Sequence, residues 1–159
     1  MRRVTAIFSG LLLTIGSVAH GQSGEVGRLH RMINHHRERI GCVAFEWHSG
    51  AAVVAQNRSA DMDRRSYFDH QTPEGRTFLQ DLEEAGIDAW GSVAENIALT
   101  QAGPASALEL WLDSRPHRRN LESCAFTHQA LGESSGIWTQ ILLSHPKAVR
   151  SPSRSTEGP

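Results

Sequence analysis

The chain is poor in several things, and each shortage removes a class of function. Beyond the first twenty residues it has no long apolar run, so nothing in the rest of the sequence is fit to span a bilayer. It has two cysteines, Cys42 and Cys124, and neither has a second cysteine nearby, which disfavours a zinc site built on thiolates. It lacks a strong excess of either charge, with 16 Lys plus Arg against 17 Asp plus Glu. That balance does not suggest nucleic acid or an anionic membrane as partner. It also lacks internal repeats, a second domain and a His-Glu-x-x-His segment.

What the chain does have begins with an export signal. Arg2 and Arg3 give a positive start, Ile7 to Ile15 is an apolar run, and Ala19-His20-Gly21 offers the small residues read at a cleavage site. Residues 1–21 are therefore read as a signal peptide, with no cysteine near the cleavage point for a lipid anchor. Cleavage leaves about 138 residues, enough for one domain with a genuine core. It also leaves 14 basic against 17 acidic residues, a formal charge of −3. The expected destination is periplasmic or secreted. There the two cysteines are permitted to pair, closing a loop of about eighty residues worth on the order of 4 kcal/mol; the alternative is two buried thiols.

Helices come first and strands last. From Glu25 to Arg39, apolar Val26, Leu29, Met32, Ile33 and Ile40 recur at helical spacing, and Gly41 follows as a stop. A second helix is predicted from about Ser49 to Tyr67, with Ala52, Val53, Gln56, Ala60 and Met62 on its packed side. Thr72-Pro73-Glu74-Gly75 is turn chemistry, followed by a short helix through Phe78, Leu79 and Leu82 that Gly86 ends. Gly103-Pro104 starts another helix, with Leu108, Trp111 and Leu112 on its apolar side and Pro116 beyond its end. Ala125 to Leu131 and Ile137 to Leu143, separated by 132–136, read as a hairpin. These elements predict an α+β domain over 22–144, helices packed on a small antiparallel sheet, followed by a disordered tail over 145–159. The four tryptophans Trp47, Trp90, Trp111 and Trp138 are expected in the core. His35, His36, His48 and His128 are expected to be ordinary surface or interface residues.

Three stretches carry the candidate chemistry: Tyr67-Phe68-Asp69-His70, Ala94-Glu95-Asn96-Ile97-Ala98 and His117-Arg118-Arg119-Asn120-Leu121. Two imidazoles and a carboxylate are a common first shell for zinc with a position left open for water. Their spacing along the chain, however, gives no local ligand pattern. Each also has a plainer role available: His70 capping a helix end, Glu95 holding a turn, His117 starting a solvated helix. Ser92 and Ser114 lie near the motifs, but a serine nucleophile needs an oriented base that sequence does not reveal.

The order of these motifs, with Asn34 and Arg37 in the first helix, Trp111 before Ser114-Arg115-Pro116-His117, and Ile137-Trp138-Thr139-Gln140 near the end, resembles the compact bacterial branch of the CAP superfamily. That superfamily unites cysteine-rich secretory proteins, insect antigen 5 proteins and plant pathogenesis-related one proteins. The resemblance covers roughly Gly27 to Leu143. It implies a secreted three-layer α-β-α sandwich with a cleft where His70, Glu95 and His117 meet. It also implies a bridge between Cys42 and Cys124, and Asp113 as the one acidic residue near the place of a second cleft carboxylate. Ala94 stands where the family usually has glycine, and Arg115-Pro116 replaces the usual Pro-Gly.

The family associations point to a noncatalytic extracellular binding module for a lipid, sterol, glycan or peptide. His70, His117 and Glu95 would hold zinc or another divalent metal weakly, if one is bound. Two other readings stay open: a metal-assisted hydrolase of peptides or cell-envelope polymers, with Glu95 as ligand or as base, and a purely structural envelope protein.

Overall fold

The computed structural model describes residues 24–145, so the expected signal peptide, and the expected tail beyond His145, lie outside the described residues. The chain forms α1 (Gly24–Arg39), β1 (Glu46–Trp47), α2 (Ser49–Arg65), α3 (Phe78–Glu84), β2 (Val93–Leu99), α4 (Pro104–Asp113), α5 (Arg115–Glu122), β3 (Phe126–Ser134) and β4 (Ile137–Ser144). The four strands make one sheet in the order β1-β3-β4-β2. β1 runs parallel to β3, whereas β2 and β3 are antiparallel to β4. The sheet is therefore mixed, a correction to the all-antiparallel expectation. Its cause is that α2 and the elements after it intervene between β1 and β3, a crossover long enough to return the chain in the same direction.

Helices cover both faces, which makes the three-layer α-β-α sandwich. On one face α1, α4 and α5 bury Leu29, Ile33, Leu108, Trp111 and Leu121 against Leu131, Trp138 and Leu142. On the other, α2 and α3 bury Ala51, Val54, Ala55 and Leu82 against Ala130, Ile141 and Leu143. Side chains of β4 alternate between these layers, as the two-residue period of a strand requires. Buried on both faces up to Leu143, β4 is apolar except at Thr139, Gln140 and the terminal Ser144.

Two glycines are fixed by geometry. A Cβ on Gly132 would lie 2.3 Å from the backbone nitrogen of Gln56, so α2 rests directly on β3 at this point. In the hairpin, Ser135 and Gly136 both take positive φ, 49° and 80°, the pattern of a two-residue turn whose twist suits the flanking strands. The hairpin is thus tighter than the five-residue connection expected, and β3 continues to Ser134.

The packed face of α2 also differs from expectation. Ala51, Val54, Ala55, Arg58, Ser59 and Met62 are buried, while Val53 is 61% exposed. The true stripe contains an arginine and a serine whose burial depends on distant partners, so an apolar count locates it one residue off. Trp111 and Trp138 are core, whereas Trp47 and Trp90 are half-buried. Cys42 and Cys124 form a disulfide with Cα atoms 5.2 Å apart.

Candidate functional site

Glu95 sits on β2, an edge strand, where alternation turns it toward α2 and turns Asn96 toward α4 and α5. On the α2 side it meets Arg58, whose side chain is 3% exposed. Arg58 Nη2 donates to Glu95 Oε1 at 3.3 Å. Its Nε lies 2.6 Å from Oε2, an ion-pair contact that is off hydrogen-bond alignment. Nη1 donates to Asp81 on α3 at 3.0 Å, and Nη2 also donates to the His70 carbonyl at 2.9 Å. One guanidinium thereby fastens α2, α3, β2 and the loop after α2. Burial alone would lower the Arg58 pKa, but the charges and hydrogen bonds of Glu95 and Asp81 outweigh it, and it is raised.

His70 completes this side. Its Nδ1 is 3.0 Å from Glu95 Oε1, and since a carboxylate only accepts, Nδ1 carries the proton. The hydrogen bond to Glu95 raises the His70 pKa against the effect of partial burial. His117, on α5, faces it with ring centroids 6.3 Å apart. Burial lowers the His117 pKa, and repulsion from His70 lowers it further. Asn96 donates to the His117 carbonyl at 3.2 Å, so β2 holds His70 from one face and His117 from the other.

A cavity of about 490 Å³ opens beside this cluster. Phe78, Leu79, Val93 and Ala94 supply an apolar wall, and His70, Glu95 and Asn120 supply its polar end. Ala94, standing where the resemblance leads one to expect glycine, has no positive φ, so no strain follows from its side chain.

The structure thus joins His70 to Glu95 and sets His117 edge-on to His70, although His117 is not among the residues lining the cavity. It leaves Asp113 exposed at the end of α4, outside the cavity lining and with no ion pair or side-chain hydrogen bond among the described residues. A three-ligand metal shell does not fit the arrangement, because both Glu95 oxygens are engaged by Arg58 and one is shared with His70. Among the described residues no group of three or more His, Cys, Asp or Glu is placed to hold a metal ion. Neither Ser92 nor Ser114 has its hydroxyl bonded to a histidine among those residues. Of the histidines set aside as ordinary, His48 caps α2 by accepting from Ala51 N–H at 3.0 Å, and His36 pairs with Glu122 at 2.9 Å. Arg58 and Asp81 were not anticipated. The one available signal was an arginine on the stripe running through Ala51, Val54, Ala55 and Met62.

Residues 30–135 match the family model of the cysteine-rich secretory protein family, CAP. Among curated proteins, the uncharacterized Bacillus subtilis protein YkwD is 32% identical over 114 residues, covering 70% of this chain and 44% of that protein. The chain thus spans less than half the length of that relative. Among solved structures, an extracellular protein containing an SCP domain from Bacillus anthracis superposes with a TM-score of 0.71 at 27% identity, covering 87% of this chain and 46% of that one. An outer surface protein from Borrelia burgdorferi shares the fold with a TM-score of 0.67 at 16% identity, covering 77% and 93%.

Proposed function

The chain belongs to the cysteine-rich secretory protein family, and from that premise we propose that it is an extracellular binding module whose cleft beside His70 holds a small amphipathic ligand without turning it over. The observation that carries this reading is the engagement of Glu95. With both oxygens on Arg58 and one also on His70, the carboxylate orients an imidazole and is not free to act as base or ligand. The same cleft has an apolar wall and one polar end, the form of a site that buries a ligand body and fixes its head. A metal-assisted hydrolase would need Glu95 released from Arg58, and nothing in the arrangement favours that. The export signal and the printed descriptions of the structural relatives as extracellular and outer-surface proteins support action outside the cytoplasm.

Thermal melting of the mature protein tests the reading. A ligand at ten times its Kd stabilises by about 1.4 kcal/mol, a rise of roughly 3–6 °C for a domain of this size. The expected result is such a rise with 1-octanol, absent in the His70→Ala/His117→Ala variant. A rise with zinc alone, lost in that variant, would assign the cleft to a metal instead. No rise with either would leave the motif residues a structural role and overturn the proposal.

A further inference from the structure

A row of amide side chains crosses the α1 face of the sheet, and its polarity is fixed from outside. Asn96 Nδ2 donates to the His117 carbonyl at 3.2 Å and to Gln140 Oε1, directly across from it on β4, at 2.9 Å. Gln140 Nε2 donates to Gln129 Oε1 at 2.9 Å, and Gln129 Nε2 lies 2.9 Å from His30 Nδ1 on α1. A backbone carbonyl only accepts, so the Asn96 nitrogen must face His117, and each amide then dictates the next. The row ends by requiring a lone pair on His30 Nδ1, hence a proton on Nε2.

At the far end Asn34 is fixed independently. It accepts from the Phe45 N–H at 2.8 Å and donates to the Phe45 carbonyl at 3.1 Å. Its Nδ2 therefore turns toward His30 Nε2, 3.3 Å away. One donor must meet another somewhere along the row, and the 3.3 Å contact is the least costly place for it. All four residues of the row from Asn96 to His30 are buried or half-buried, so a reversed amide would leave shorter donor contacts unpaired in a low dielectric.

The consequence reaches the cleft through Asn120. Because Asn96 presents its oxygen away from His117, Asn120 Nδ2 donates to that oxygen at 3.0 Å. Asn120 lines the cavity, and its Oδ1 has no hydrogen-bond partner among the described residues. His70 is held by Glu95 through Nδ1, which leaves Nε2 as its remaining polar atom.

We propose that the amide row makes Asn120 a fixed acceptor and that the cleft therefore selects a neutral hydroxyl head group over an anionic one. This rests on the amphipathic-ligand reading above and adds the chemistry of the head. A hydroxyl donates to Asn120 Oδ1 or to the lone pair on His70 Nε2, because the proton of the neutral imidazole is held on Nδ1 by Glu95. A carboxylate or phosphate has no donor for either acceptor.

Two probes with the same chain, 1-octanol and octanoate, test this by amide chemical-shift titration at about pH 7.5, where the acid is ionised. The expected result is octanol binding about tenfold tighter or more, read at Gln71, Phe78, Val93 and Asn120, with Asn120→Leu losing most of that preference. Equal or tighter binding of octanoate to the wild type overturns the hydroxyl selection and leaves the cleft reading standing. Binding of neither probe overturns both. The row is tested separately by imidazole nitrogen shifts of His30 in the free protein. A proton on Nε2 is expected, and a proton on Nδ1 overturns the polarity from which Asn120 derives its role, whatever the variant does.

Discussion

Two arginines are buried in this domain, and they are buried for different reasons. Arg37 on α1 is 1% exposed and Arg58 on α2 is 3% exposed. Arg37 has no carboxylate partner among the described residues. It donates instead to the carbonyls of Val43, Leu121, Ser123 and Phe126, at 2.8 to 3.1 Å, with its guanidinium 3.6 Å from the Phe45 ring centroid. Burial lowers its pKa to about 10, still charged at neutral pH. Two of those carbonyls, on Leu121 and Ser123, lie at the C-terminal end of α5, where helix carbonyls have no partners of their own. Arg58 binds the side chains of Asp81 and Glu95 as well as one carbonyl. Backbone carbonyls do not titrate or move away from the fold, so Arg37 sets shape. The partners of Arg58 are ionisable and line cavities, so Arg58 sets the state of the site.

The largest effect is expected at the Arg37 corner. The disulfide there joins residues 82 apart, and in the chain-entropy model its loss in Cys42→Ser/Cys124→Ser costs about 4.5 kcal/mol. Arg37 fastens the same segments, those after α1 and after α5. Arg37→Met should therefore cost about 1 kcal/mol less in the bridge-free chain than in the wild type, since contacts sharing partners are not additive. Urea unfolding of the two single variants and the combined one checks this; strict additivity would show that bridge and guanidinium act independently.

At the other arginine, Arg58→Met leaves buried Glu95 without a guanidinium, while Asp81 keeps Arg76, and should cost about 3–5 kcal/mol. Adding Glu95→Gln should return a substantial part of that loss, because a neutral amide no longer requires the guanidinium. Arg37→Met should have no such rescue from neutralising any acid. Recovery in the Arg58 background alone is the outcome that separates the two kinds of burial.

The same contrast explains what was legible in the sequence. α1, α3 and α4 follow from apolar spacing, glycine stops and the Gly103-Pro104 start, because their packing is carried by apolar contacts that each segment displays for itself. β2 was not read as a strand, since Glu95 and Asn96 interrupt its apolar pattern, and their burial is offset by Arg58 on one face and Gln140 on the other. α5 was offered only as a solvated helix start at His117, for a similar reason: in Arg115-Pro116-His117-Arg118-Arg119-Asn120-Leu121, only Leu121 is buried, and the helix is held by its neighbours. The meeting of His70 with Glu95 and His117 came from the order of three motifs and the resemblance they support. The contacts of Arg58, Asp81, Gln129 and Gln140 did not, because each finds its partners on another element, at separations that no local pattern encodes.

The smallest predicted effect is a pair of opposed titrations. The Glu95 hydrogen bond raises the His70 pKa, so the folded state favours the charged imidazole. Its contribution to stability is fully present below the unfolded value near 6.5 and is lost as pH rises through the folded value. Burial, then the charge on His70, lowers the His117 pKa, so the folded state disfavours its charged form. That stability is present above about 6.5 and is lost as pH falls toward the folded value. The two windows adjoin without overlapping, so together they set a shallow maximum in stability near 6.5, with His117 lowering it on the acid side and His70 on the alkaline side. Ring-proton NMR resolves them where unfolding cannot. His70 should titrate above about 6.5 and His117 below it. In Glu95→Gln the first should fall, since its largest cause is gone, while Arg37→Met, which shares no partner with either ring, should leave both where they are.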